Sequence, residues 1–245
     1  MSQPIIQLLG VTKVYQSEAT SSAALRNLNL EIDAGQFVSL MGPSGSGKTT
    51  LLNLIAGLDM PTEGTVLVDG SDLRKLADGE LADLRLRTIG FVFQTFNLIP
   101  ALTVQENVTW PLEFSGYSRA EVHRRADHAF ERVGVVGRED AYPAELSGGE
   151  QQRVAIARAI ATGPAILLAD EPTGNLDSRT GQSILDLLRD LNRAEGATVV
   201  MVTHDAFAAA YGHRTLEIQD GAIVRDVRTP ASPTVAATSS EFRFQ

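Results

Sequence analysis

A chain of 245 residues with 43% hydrophobic and 21% charged side chains can bury a large core, which excludes global disorder. Its 30 acidic and 21 basic residues leave a formal net charge of −9, a balance that repels nucleic acid and argues against it as a partner. The lack of cysteine excludes disulfides, thiolate metal sites and cysteine nucleophiles, and no apolar run approaches the ~20 residues that cross a bilayer. Met1 to Gly10 has no basic stretch followed by an apolar one, so no secretory signal is expected. Any membrane role then requires docking onto a separate spanning protein.

Apolar–polar alternation at Ile6, Leu8 and Val11, and again at Leu28, Leu30 and Ile32, predicts short antiparallel strands. The polar, small-residue stretch from Gln16 to Ala24 predicts a hairpin loop between them. Phe37 to Met41 reads as a buried strand, followed by a glycine-rich turn and a helix from about Lys48 to Ala56. Thr65 to Val68 and Ile89 to Phe93 predict further strands. From about Phe96 to Gly149 the pattern is helical, most clearly where Val122, Ala126, Ala129, Phe130 and Val133 share one face. Ile166 to Ala169 and Thr198 to Val202 are apolar throughout, as parallel strands covered on both faces are, with a helix over Ile184 to Leu191 between them. No internal repeat occurs. Past Asp226 the chain turns rich in Thr, Pro, Ala and Ser, so one domain is expected over 1–227 and a disordered tail over 228–245.

The run Gly42, Pro43, Ser44, Gly45, Ser46, Gly47, Lys48, Thr49 matches G-x-x-x-x-G-K-[ST], and a strand precedes it while a helix follows. Its glycines let backbone N–H groups curl inward at a helix N-terminus, forming a concave anion site, and Thr50 continues it. Lys48 adds a point charge for the β- and γ-phosphates, and the Thr49 hydroxyl suits Mg²⁺. Such a loop serves GTPases, kinases, helicases and transporter motors alike. No N-K-x-D motif is present, which disfavours guanine. Leu146, Ser147, Gly148, Gly149, Glu150, Gln151, Gln152, Arg153 repeats the logic roughly a hundred residues later: a hydroxyl and glycine amides heading a helix.

With that second string the chain resembles the nucleotide-binding subunit of ABC transporters over about Ile5 to Val227. The resemblance implies an α/β P-loop NTPase fold, with a RecA-like parallel sheet core, an antiparallel β subdomain and an α-helical subdomain at about 96–149. It implies that Ser147, Gly148, Gly149 and Glu150 of one copy close over ATP held by Lys48 and Thr49 of a second copy, so that hydrolysis requires a homodimer. Glu150 stands where many relatives have Gln. Ile166 to Glu171 resembles the Walker B strand, which gives Asp170 to the metal and Glu171 to the attacking water. Gln94 matches the Q-loop, where an amide reaches Mg²⁺ or the water. His204, 33 residues after Glu171, matches the switch histidine of the γ-phosphate. Gly174 to Asp177 resembles the D-loop, and Tyr15 stands where an aromatic ring stacks on adenine.

The stretches Met41 to Lys48, Leu52 to Asp59, Gly90 to Gln94, Phe96 to Pro100 and Glu106 to Val108 resemble the lipoprotein-release and macrolide-export branch, LolD-like and MacB-like. That branch implies a transmembrane permease subunit as partner, at the cytoplasmic side of the membrane, with the cassette peripheral to it. Phe96, Leu98 and Ile99, beside Gln94, are expected either to meet that partner or to fill the helical core. Three other readings use the same chemistry or part of it. An ABC-type ATPase could regulate an envelope or division complex without transport; a chromosome-maintenance ATPase would need long coiled coils between the two strings, and no sustained heptads occur; a nucleotide-gated scaffold would not need Glu171 and His204.

Overall fold

The computed structural model describes residues 4–16 and 21–228. Two apolar-alternating strands, β1 (Ile6–Gln16) and β2 (Ser21–Ile32), open the chain and pair antiparallel. The expected hairpin loop is shorter than its composition suggests: Ala23 pairs with Val14, Ser22 with Tyr15 and Ser21 with Gln16. Ladder bonds come from backbone, so small polar side chains are no barrier to pairing; residues 17–20 of the expected loop lie outside the described residues. After β3 (Phe37–Met41) comes α1 (Lys48–Ile55), then β4 (Glu63–Val68), β5 (Ser71–Asp72), α2 (Asp78–Thr88) and β6 (Ile89–Val92).

The expected helical stretch contains α3 (Val104–Glu113) and α4 (Arg119–Val133), and α5 (Gly148–Ile160) begins at its end. Its first part, 96–103, is a loop, with Phe96 at φ 61° and Asn97 at φ 49°, a conformation no helix contains. Thr103, Ser118 and Ser147 cap the three helices, each accepting a hydrogen bond from the N–H three residues on. β7 (Ile166–Asp170), α6 (Ser178–Glu195), β8 (Thr198–Val202), α7 (Ala206–Ala209), β9 (Arg214–Gln219) and β10 (Ala222–Arg228) complete the order. β10 carries the ladder to Arg228, opposite Arg214, one residue beyond the expected end of the domain. The expected tail from 229 on lies outside the described residues.

Two sheets result, one antiparallel in the order β2-β1-β4-β5 and one in the order β10-β9-β3-β8-β7-β6. In the second sheet β9, β3, β8, β7 and β6 run parallel. Its side chains alternate between two cores. Val200, Val202, Ile166 and Leu168 pack with α1 and the antiparallel sheet, whereas Val199, Met201, Leu167 and Ala169 pack with α3 to α6. Both faces are therefore covered, which is why these strands are apolar at every position. The face of α4 read from the sequence is the buried one: Val122, Ala126, Ala129, Phe130 and Val133 are all in the core.

Asn107, buried on α3, ties the 96–103 loop down. Its Oδ1 accepts from the Ile99 N–H at 2.7 Å, and its Nδ2 donates to the Ile99, Leu102 and Thr103 carbonyls at 2.9 to 3.1 Å. An alanine there strands several backbone groups. Asn107→Ala is expected to lower unfolding free energy by about 2–3 kcal/mol in urea titrations.

Candidate active site

Parallel neighbours that end together deliver their following residues to one place. Leu40 of β3 is level with Val202 of β8, and Val202 is level with Asp170 of β7. The glycine-rich loop after β3, His204 after β8 and Asp170 with Glu171 at the end of β7 therefore meet at the carboxyl edge of the sheet, where open α/β sheets bind ligands. They enclose a cavity of about 390 Å³ lined by Gly42, Pro43, Ser44, Gly45, Gly47, Lys48, Thr49, Thr50, Glu171 and His204. Ala24 of β2 completes the wall, a residue without a sequence signal because it contributes shape alone.

Glycine is required in this loop by contact as well as conformation. Gly47 has φ 104°, and a Cβ there would lie 2.4 Å from the Ala24 carbonyl oxygen. At Gly42 a Cβ would lie 2.1 Å from the Ile218 carbonyl oxygen. Lys48 is buried, its Nζ donating to the Gly42 and Pro43 carbonyls at 2.8 Å each and lying 3.5 Å from Ser46 Oγ. Gly47 provides no side-chain cap to α1, so the first amides of that helix are left for an anion. Ser46 turns beneath the loop, where its carbonyl accepts from the Gly221 N–H at 3.1 Å.

Asp170 hydrogen-bonds with the Thr49 side chain under the cavity. Burial raises its carboxyl above the ordinary value, with the neighbouring Glu171 charge adding to the rise, against the opposing pull of Thr49 and Lys48. A hydroxyl beside a desolvated carboxylate is a donor set that fits Mg²⁺, which takes few protein oxygens and keeps the rest for phosphate and water. Glu171 is held at φ 45°, in the left-handed region, with its N–H on the Val202 carbonyl at 3.0 Å. Its Oε2 lies 3.1 Å from His204 Nδ1, so the two side chains face one another across the cavity mouth.

The remaining expected site residues lie elsewhere. Gln94 is exposed and packs against the 174–177 loop: a Cβ on Gly174 would lie 2.8 Å from Gln94 Nε2, and the Gln94 carbonyl accepts from Asn175 Nδ2 at 3.0 Å. Ser147, Gly148, Gly149 and Glu150 head α5, and none lines the cavity. Glu150 Oε2 accepts from the Ser147 hydroxyl at 2.7 Å and from its N–H at 2.9 Å, a reciprocal cap. Those two bonds, with Arg138 beside it, hold the Glu150 carboxyl below its usual value despite some desolvation. A side chain at Gly148 would meet Leu176 at 3.5 Å and the Phe96 ring at 3.7 Å. Phe96 therefore sits at the Ser147–Gly149 turn and Leu98 packs on the helical core, while Ile99 is exposed. Tyr15 lies at the end of β1, outside the cavity lining.

Two further residues join these loops. Gln152, fully buried, donates to the Pro172 carbonyl at 2.8 Å and to the Phe93 carbonyl at 3.5 Å. Arg158 donates to the Phe96 and Asn97 carbonyls at 2.9 and 2.5 Å, bracing the two left-handed residues; burial lowers its guanidinium from the ordinary value. Gln152 stands within the Leu146 to Arg153 string, but its task has no sequence signal, since its partners are backbone atoms of distant segments.

This carboxyl edge is that of a P-loop nucleoside triphosphatase. The family model described as ABC transporter matches residues 25–174. An uncharacterized ABC transporter ATP-binding protein of Methanocaldococcus jannaschii, MJ0796, is 50% identical over 226 residues, covering 91% of this chain and 96% of that protein. The macrolide export ATP-binding/permease protein MacB of Bordetella avium is 44% identical over 241 residues, 98% of this chain and 37% of MacB. A dimeric structure of MJ0796 in a post-hydrolysis state, bound to ADP and Pi, has a TM-score of 0.85 at 48% identity, covering 91% of this chain and 98% of that one. The chain belongs to the ABC transporter family, as one of its ATP-binding ATPases.

Because Gly47 lies against the Ala24 backbone, Gly47→Ala must move the loop. It is expected to weaken ATP binding about tenfold or more in equilibrium titration, while circular dichroism stays that of the parent.

Proposed function

We propose that this chain hydrolyses ATP as a pair of identical molecules and that closure of the pair drives a transmembrane permease subunit. The observation that carries this reading is that one chain holds two complementary half-sites apart: a cavity with Lys48, Glu171 and His204, and a capped glycine turn at Ser147 to Gly149. The relative MJ0796 forms a dimer with ADP and Pi, which supports the same arrangement here.

In this mechanism the α1 amides and Lys48 hold the β- and γ-phosphates, and Thr49 and Asp170 would hold Mg²⁺. A magnesium ion held there would supply positive charge to the phosphate oxygens. Glu171 accepts a proton from, and orients, the attacking water. His204, turned from Glu171 toward the γ-phosphate, donates to the oxygens that gain charge. Ser147, Gly148 and Gly149 of the second copy place a hydroxyl and amides on the same group, with Glu150 holding the turn. Gln94, packed against Gly174, reports the state of the site to the partner. Tyr15 carries the adenine ring.

The partner's seat is a groove of about 410 Å³ whose lining includes Leu86, Phe91, Phe93, Asn97, Trp110 and Arg158. Trp110 is 47% and Phe114 65% exposed, their rings edge to face with centroids 5.8 Å apart. Large apolar side chains left open beside the Gln94 loop suit an amphipathic helix of a membrane protein. In this reading the partner rests on Trp110 and Phe91 rather than on Phe96, Leu98 and Ile99. Among the described residues no helix is long and apolar enough to cross a membrane.

Glu171→Gln is expected to retain ATP, cut turnover about a hundredfold or more, and elute as a dimer with ATP present. Lys48→Ala should lose nucleotide binding itself. Wild-type turnover in Glu171→Gln would refute the general-base role. Separately, Trp110→Asp with Phe114→Asp is expected to keep basal ATPase activity but to lose the integral membrane protein that co-purifies with the tagged parent. Retention of that protein would place the seat elsewhere.

A further inference from the structure

Lys13, Tyr15 and Asp59 form a closed cluster beside the phosphate cavity. The Tyr15 hydroxyl donates to Asp59 Oδ2 at 2.7 Å, and Lys13 Nζ donates to Asp59 Oδ1 at 2.5 Å and to the Met60 carbonyl at 2.8 Å. The same ammonium stands 4.8 Å from the centroid of the Tyr15 ring. Burial by itself would raise the Asp59 carboxyl, but hydrogen bonds from Lys13 and Tyr15 outweigh it and hold the group below the usual carboxylate value. Asp59 is therefore a charged acceptor that fixes both neighbours.

A tyrosine at a strand end ordinarily turns about two side-chain bonds, and ordering it on binding has an entropic cost. Here the hydroxyl is anchored, and Lys13 covers one face of the ring. A flat ligand can stack only on the other face, and Tyr15 is 45% exposed. The anchor also sets where that face lies. The Asp59 N–H donates to the Asn53 carbonyl of α1 at 3.3 Å. Thr50, one turn earlier on α1, lines the phosphate cavity and hydrogen-bonds to Tyr15. The helix that grips phosphate at its first turn thus holds the ring through its last.

We infer that Asp59 is a positioning residue for the nucleobase, locking the Tyr15 ring through Lys13 and α1 at a fixed offset from the phosphate cradle. The inference rests on the reading that Tyr15 stacks on adenine. It also implies loose choice among bases, because a locked ring face offers area without edge hydrogen bonds.

Isothermal titration of the full chain with Mg-ADP and with magnesium pyrophosphate tests it, since pyrophosphate reports the cradle without a base. Asp59→Ala is expected to weaken ADP binding about three- to tenfold and to leave pyrophosphate unchanged. Tyr15→Phe keeps the ring but loses the anchor, so it should match Asp59→Ala, and the double variant should be no weaker than either. It also gives the same readout if Asp59→Ala folds poorly. Parent-like ADP binding in Tyr15→Ala would sink the stacking reading itself. Weak ADP binding in Tyr15→Ala with parent-like binding in Asp59→Ala and Tyr15→Phe would spare stacking and overturn the positioning role. Equal losses of ADP and pyrophosphate in Asp59→Ala would also overturn it, because Asp59 would then act through α1 alone.

Discussion

The common level at which β3, β8 and β7 end governs the rest of the structure. Leu40, Val202 and Asp170 stand side by side in the sheet, so the residues that follow each must share one small volume. Parallel strands place all such ends on one edge, and apolar packing on both faces keeps the edge from sliding. Glu171 bears the cost: its backbone is left-handed, outside the range a glutamate prefers, and the Val202 carbonyl holds it there. A one-residue slip of β7 would withdraw Asp170 from Thr49 and Glu171 from His204 together.

An acidic chain that binds a polyanion needs local dipoles stronger than its distant charge. Over the ~8–10 Å of a Debye length, most surface carboxylates are screened from the cavity. Lys48 and the uncapped amides of α1 act at contact distance, and the glycine-only backbone keeps them converging. The glycine turn at Ser147 differs. The Ser147 hydroxyl donates to Glu150 at 2.7 Å, so it is engaged within its own chain at the head of α5.

α5 connects these parts. Its first turn lies against Leu176 and Phe96, its middle reaches Pro172 and Phe93 through Gln152, and its last turn braces Phe96 and Asn97 through Arg158. The 94–97 loop, the 171–177 loop and the Ser147 turn are therefore packed neighbours. The groove beside the exposed Trp110 shares Asn97 and Arg158 with that set.

By itself the sequence determined whatever is local. The phosphate loop, the two apolar parallel strands and the buried face of α4 follow from spacing and periodicity, because each is settled by residues near in the chain. α2 was silent, since Leu81 is its one fully buried residue and no apolar period marks it, and β10 was silent because its side chains are mostly exposed. Tertiary structure alone decided that Tyr15 is anchored by Asp59, that Ala24 confines Gly47, and that Trp110 stays exposed while Leu98 faces the core. Each of these joins segments far apart in the chain through a hydroxyl, a backbone oxygen or a packing surface. Such groups carry no pattern in sequence, and their partners are fixed only when the two sheets close on α1.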